Sequence, residues 1–201
     1  MIKYKCIYLL ILVVILAGCT GSSRKVTRVQ TDQATEISGR WNDTDSRLTA
    51  QSMIQDLMAK PWLPSFVGEN DRKPFLIVGS IRNKSSEHIP VTVFVKDIEK
   101  ELINSGQVSF VASEQERDAL RKERMDQQSY SSTESAKDLA NEQAADYMLQ
   151  GTINSIVDSF EGKKVIYYQV NLELVDLESN TKVWLGDKKI KKLIEQDKYS
   201  W

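Results

Sequence analysis

The sequence predicts an α/β domain: a mixed sheet of about five strands with flanking helices, in which βα units lead into a C-terminal antiparallel meander. Three observations carry this. Residues 75–81, "FLIVGSI", form a short continuous apolar run, the pattern of a central strand covered on both faces. Residues 92–105 place Phe94, Val95, Ile98, Leu102 and Ile103 at helical spacing, with Gly106 positioned as a C-terminal cap. In "VIYYQVNLEL", Ile166, Tyr168, Val170, Leu172 and Leu174 form one apolar face while Gln169, Asn171 and Glu173 point the other way.

The remaining elements fall between these. A first helix is expected to begin near Asp43 or Asp45 and run to about residue 59, with Ala50, Ile54, Leu57 and Met58 on one side and Pro61 ending it. Residues 61–74 read as a loop with two apolar anchors, Trp62 and Phe66. After a polar loop, the helix over 92–105 leads to a strand at 108–113 and then a charged helix over 114–128, whose apolar residues are mainly Leu120 and Met125. Ser132 or Thr133 is expected to cap another helix, with Ala136, Leu139, Ala140 and Ala144 on one face. Tyr147, Leu149, Ile153 and Val157 mark the next strand, a turn lies around Gly162, and residues 182–190 supply the last strand.

The N-terminus sets the compartment. Lys3 and Lys5 precede an apolar run over residues 6–16, which has the length of a signal-peptide core and is short for a membrane span. It ends in Leu16-Ala17-Gly18-Cys19, which resembles the lipobox of bacterial lipoproteins. That resemblance implies cleavage before Cys19 and acylation of Cys19. Several acyl chains on one residue anchor stably where one would not. The chain then divides into a signal peptide over 1–18, a lipidated cysteine with flexible tether over 19–36, and a domain over 37–201. Cys6 leaves with the signal, so the mature domain has no disulfide. Thr20, where inner-membrane lipoproteins carry Asp, directs the expectation to the outer membrane.

Charge and composition narrow the chemistry. The 201 residues have a formal charge of −1, or −3 after removal of Lys3 and Lys5 (25 basic against 28 acidic residues), which argues against a nucleic-acid partner. His88 is the one histidine, in a loop, so a catalytic triad or histidine metal site has no material. Asp43 and Asp45 read as helix-start acids that satisfy free backbone N–H groups. Gly79 lacks the companions of a phosphate loop. The cluster "KKIKK", 188–192, suits either an anionic lipid or glycan surface or a lysine-guarded edge strand. The chain is therefore expected to bind another macromolecule, with no catalytic residue, cofactor or metal.

Several segments together, "SGRWNDTDSR", "IVGSIRNKSSEHI", "ELINSGQVSFVAS", "ERDALRKERMDQQ", "AADYMLQGTINSIVD" and "YQVNLELVDLESNTKVWLGDKKIKK", resemble the LpoB family. The resemblance covers about residues 37–194. It implies a fold like the N-terminal domain of TolB. It also implies an outer-membrane lipoprotein that docks on the regulatory domain of a class A penicillin-binding protein and raises its synthase activities. Here the tether lacks proline and reaches only about 60 Å when fully extended. No docking motif transfers residue by residue. From exposure alone, the candidate protein-binding residues are Arg82, Asn83 and Lys84 after the first strand, Arg117, Arg121 and Arg124 on the charged helix, and Trp41, which is expected to pin the tether to the domain. Two other readings stay open: a secretion component related to curli-secretion lipoproteins, and a structural glycan-binding lipoprotein. A pore would need spare lipid-facing strands, and no second spare hairpin is evident.

Overall fold

The computed structural model describes residues 25–31, 33–130 and 144–195. Its contacts divide the chain into two units, 1–33 and 34–201. The described part of the first unit has no helix or strand and is exposed. Cys19 and the signal peptide lie outside the described residues.

In the second unit, α1 (Asp43–Met58) starts at a reciprocal capping box. The Asp45 backbone N–H donates to Asn42 Oδ1 at 2.9 Å, and the Asn42 N–H donates to Asp45 Oδ2 at 3.0 Å. Asn42 is thus the cap, and Asp45 does what a helix-start acid is expected to do. Ala50, Met53, Ile54 and Leu57 form the buried stripe.

Residues 62–70, expected as part of a loop, are a helix, α2 (Trp62–Asn70). Pro61 precedes it with φ −61°, already helical, and Pro64 falls in the first turn, where its missing N–H has no helical partner to lose. Trp62 and Phe66, four apart, share a face and meet Tyr147 edge-on at 5.1 and 5.6 Å. The Trp62 indole N–H donates to the Leu57 carbonyl at 2.8 Å, beside the Lys60 N–H that reaches the same oxygen at 3.3 Å at the end of α1. The two aromatics are anchors as expected, but a helix carries them.

The sheet has five strands in the order β2-β1-β3-β4-β5. β1 (Phe75–Asn83) lies parallel to both its neighbours, β2 (Ser109–Phe110) and β3 (Tyr147–Phe160). β3, β4 (Lys163–Asp176) and β5 (Lys182–Glu195) form the expected antiparallel meander. Between β1 and β2 runs α3 (Val91–Ser105), with Phe94, Ile98 and Leu102 fully buried and Gly106 left-handed at φ 65°. β2 is two residues long where six were expected. It touches β1 only at two register positions, and Ser113 then turns the chain into α4 (Glu114–Tyr130). The helix expected after Ser132 lies outside the described residues, apart from Ala144.

Helices α1 and α3 pack on one face of this sheet, over Leu76, Leu149, Ile153 and the even-numbered positions 166–174 of β4, all fully buried. Among the described residues the other face has no helix on it. That corrects the expectation of a first strand covered on both faces. Phe75 and Ile77 on the open side are only half-buried: Ile77 is in register with Met148, and the Arg72 guanidinium lies 5.4 Å from the Phe75 ring. Strand neighbours and a cation shelter them in place of a second helical layer.

Arg72 also clamps the strand starts. It makes a two-point contact with the Asp146 carboxylate, 2.7 Å each, while the Phe75 N–H donates to the same carboxylate at 2.7 Å. Burial opposes ionisation of Asp146, but Arg72 and the Phe75 N–H outweigh it and hold the carboxyl below its ordinary range.

Because the core is one layer of side chains between helices and sheet, large-to-small changes there leave cavities. Leu172→Ala should lower unfolding free energy by about 2–5 kcal/mol in urea denaturation, with no change of secondary structure by circular dichroism.

Candidate docking surface

The segment between the tether and α1 is built into the domain. Trp41 is half-buried, with its ring edge-on to Phe94 at 6.1 Å and Tyr168 at 5.5 Å, and its backbone N–H donates to Glu87 Oε2 at 3.2 Å. Its indole therefore faces the core and pins the chain there. Burial first, then the nearby Glu87 carboxylate, pushes the Tyr168 hydroxyl above its ordinary pKa.

Beside Trp41 lies a charge cluster that no motif marks. The Lys192 ammonium on β5 meets Asp45 Oδ2 at 2.5 Å, Glu36 Oε2 at 2.9 Å and the Arg40 carbonyl at 3.0 Å. Its three N–H groups are shared among these oxygens and Glu36 Oε1, at 3.1 Å. The Lys192 and Asp45 side chains are only 10% and 8% exposed, whereas Glu36 is half in solvent. Burial works against the Glu36 charge, but Lys192 and the Asn42 amide prevail and lower its pKa. The basic cluster is thus divided by strand alternation. Lys192 turns inward and Lys188 reaches Ser52 Oγ at 3.2 Å, while Lys189 and Lys191 face solvent. β5 ends the strand order, so its lysines sit on an edge strand.

The three residues after β1's apolar run part company. Arg82 is exposed on the open face, in one register row with Thr152, Asn171 and Asp187. Asn83 points into its own loop: its amide donates to the Glu87 carbonyl at 2.7 Å and its oxygen accepts from the Ser85 N–H at 2.9 Å. Lys84 has an exposed side chain and a backbone N–H given to the Ile153 carbonyl at 2.7 Å. The loop's order follows from an Asn turn motif that the sequence reading had offered as binding material.

Around Arg82 the open face is a ladder of polar side chains. Gln150 donates to Glu173 at 2.8 Å, Asn154 to Thr152 at 3.1 Å, and Gln169 to Asn171 at 3.0 Å. A shallow cleft of about 140 Å³ opens here between Ser80, Arg82, Gln150 and Glu173.

Arg117, Arg121 and Arg124 share a face of α4 by their spacing. None of residues 114–127 is buried. Arg117 donates to the Ala112 carbonyl at 3.0 Å, and Arg121 pairs with Asp118 at 2.7 Å. What holds α4 to the domain is its first turn. Ser113 and Glu116 form a capping box, and Glu116 also pairs with Lys96 of α3 at 2.9 Å. Ser113-x-x-Glu116 was readable as such a box from the sequence; the Lys96 pairing was not. Lys96, then the Ser113 N–H and hydroxyl, pull the Glu116 pKa down to about 2. Among the described residues no group of three or more His, Cys, Asp or Glu side chains is placed to hold a metal.

These features define a two-layer α/β module with an open sheet face and a charged helix, α4, tied to α3 at its first turn. A sequence profile described as "Peptidoglycan-synthase activator LpoB" matches residues 45–190, and the chain belongs to that family. Solved structures similar to it include the LpoB C-terminal domain from Salmonella enterica, at 15% identity and TM-score 0.37 over 73% of this chain and 98% of that one. The Escherichia coli LpoB C-terminal domain aligns at 16% identity and TM-score 0.36, over 76% and 99% of the two chains. The lipoprotein GNA1162 from Neisseria meningitidis aligns at 15% and 0.37, over 60% and 83%. No curated protein sequence matches the chain. The assignment rests on the profile match.

Two outcomes follow from the geometry. Lys192→Met leaves Asp45 buried without its counter-charge and should cost about 3 kcal/mol in denaturant unfolding, whereas Glu36→Gln, at a solvated carboxylate, should cost well under 1 kcal/mol. Glu116 has a folded pKa below its unfolded one, so its contribution is full above the ordinary carboxylate value of 4.5 and is lost as pH falls through about 2. Carbon-detected NMR titration should give that midpoint near 2 and move it toward the ordinary value in Lys96→Met.

Proposed function

We propose that this protein is a lipoprotein anchored through Cys19 in the outer membrane, facing the periplasm, whose domain over 37–201 binds and activates a class A penicillin-binding protein. The observation that supports this reading is the profile match over residues 45–190, which runs from the capping box of α1 into β5 and so spans the layers of the fold. The domain acts without catalysing a reaction itself. It favours the active conformation of the synthase by binding it better than the inactive one, and the gain in activity is bounded by that difference in affinity.

Arg82 and Lys84 at the end of β1, and the arginine face of α4, are the surfaces we assign to docking; Trp41 and Asn83 support them from within. No helix among the described residues is long and apolar enough to cross a membrane. In this reading the attachment is the acylated Cys19.

Purified domain should raise glycan polymerisation by the organism's purified class A synthases and do nothing to glycan strands alone. Arg82→Glu with Lys84→Glu should weaken the stimulation at least tenfold in half-maximal concentration, about 1.4 kcal/mol, while leaving the melting temperature unchanged. Absence of stimulation with every class A synthase would overturn the reading. Cys19→Ala should move the protein from the membrane to the soluble fraction; unchanged fractionation would remove the anchor.

A further inference from the structure

Apolar side chains face solvent at the end of the sheet where the chain from the N-terminus joins the domain. Phe160 is 75% exposed, Ile156 66%, Leu193 61% and Ile37 91%. Three successive cross-strand rows on the open face hold the first three together: Ile156–Tyr167–Lys191, Asp158–Val165–Leu193 and Phe160–Lys163–Glu195. Phe160 is the last residue before a two-residue turn in which Glu161 and Gly162 both have positive φ, 44° and 81°, so it sits at the tip of the hairpin. Ile37 and this turn border a groove of about 820 Å³.

We propose that this tip docks the domain on the surface of a phospholipid bilayer. Phe160, Ile156 and Leu193 enter the boundary between headgroups and acyl chains, and Lys163 and Lys191, on the same face, lay their aliphatic stems along them with the ammonium groups at headgroup level. Arg40, Lys163, Lys164 and Lys191 stand against Asp158, Glu161 and Glu195 around the tip, and Lys163 pairs with Glu195 at 2.9 Å. The balance is one positive charge, so apolar contact is the main attraction and anionic lipid adds to it.

The point at which the chain enters the domain favours lipid as the occupant. Lys192 holds Glu36 and the Arg40 carbonyl, and Gly39, at φ 65°, fits against Ile194 where a Cβ would collide with it. Residues 36–40 are thereby fastened beside the tip, and the stretch back to Cys19 departs from this end. The inference rests on the reading of Cys19 as the acylated residue. That stretch reaches about 60 Å at most and spans nearer 25 Å as a coil. A linker that short gives an effective concentration on the order of millimolar, so a weak contact is occupied once the chain is anchored. A stable protein interface buries about 800 Å² on each partner, more than four exposed side chains at one end of a hairpin supply.

Residues 20–201 contain the whole compact unit and lack both the apolar leader and the acylation site, so they test the tip apart from the anchor. With phosphatidylethanolamine–phosphatidylglycerol vesicles at millimolar lipid, this chain should co-float, and more so than with phosphatidylcholine alone. Phe160→Ser with Leu193→Ser should cut the bound fraction about fivefold or more. Leu185→Ser, at a residue 70% exposed on the same face but far along β5, should leave it unchanged. No flotation, an equal loss in Leu185→Ser, or full flotation of the double variant would each overturn the proposal. So would a concentration-dependent dimer abolished by the double substitution, which would give the tip to a second copy of the chain. Failure of the anchor is read separately, from fractionation of Cys19→Ala in cells.

Discussion

The ion pair between Lys192 and Asp45 joins parts of the chain that lie 147 residues apart. One carboxylate does two jobs: it closes the capping box of α1 and neutralises a lysine that strand alternation turns inward. The same ammonium takes Glu36 and the Arg40 carbonyl, so helix start, edge strand and tether end are held by one group. A buried charge is costly unless its acceptors are all in place, which makes the arrangement selective for one register of β5 against α1. A shift of one residue would turn Lys192 to solvent and Lys191 into the site. Trp41, edge-on to Phe94 and Tyr168 next to this cluster, adds apolar weight to the same junction.

From that junction the domain is organised as one layer of helices on one face of a sheet. The consequence is an open face that carries amides, hydroxyls and charges around Arg82 and exposed apolar side chains toward Phe160. Much of its hydrogen bonding is internal, as in the Gln150–Glu173 and Gln169–Asn171 pairs. The pKa shifts of Glu116, Asp146, Glu36 and Tyr168 are each explained by a structural partner or by burial. In α4, none of whose residues 114–127 is buried, the first turn is capped and ion-paired to α3.

Local patterns were legible wherever one physical cause dominated. The alternation in β4 matched its burial position by position, because a half-covered sheet imposes period two. The stripe of α3 and the glycine after it were equally plain. The misreadings came where a second cause competed. Residues 62–70 carry two prolines near a turn, which suggested a loop, yet proline in the first turn of a helix removes no bond, and Tyr147 supplies the surface for Trp62 and Phe66. The apolar run of β1 suggested two covered faces, where Met148 and Arg72 shelter the second one. β2 was read too long because an edge strand stops when its pairing stops, and pairing is not a local property.

For the candidate site the division is sharper. Residue types alone determined that His88 is the one histidine of the chain, that Cys19 follows a lipobox-like run, and that Asp45 belongs to a helix start. The dispersed segments determined the family resemblance, and the profile over residues 45–190 agrees with it. Tertiary structure alone decided which of the proposed contact residues face outward. Arg82 and Lys84 do, while Trp41 and Asn83 are engaged by the domain itself. It also decided that a run of four lysines splits between a buried junction and solvent, and that Ile37, Phe160 and Leu193 meet at one end. The reason is range: propensity, capping and alternation act over a few residues and leave marks in the sequence. Exposure and charge pairing depend on which distant strand lies alongside, and only the folded chain brings those partners together.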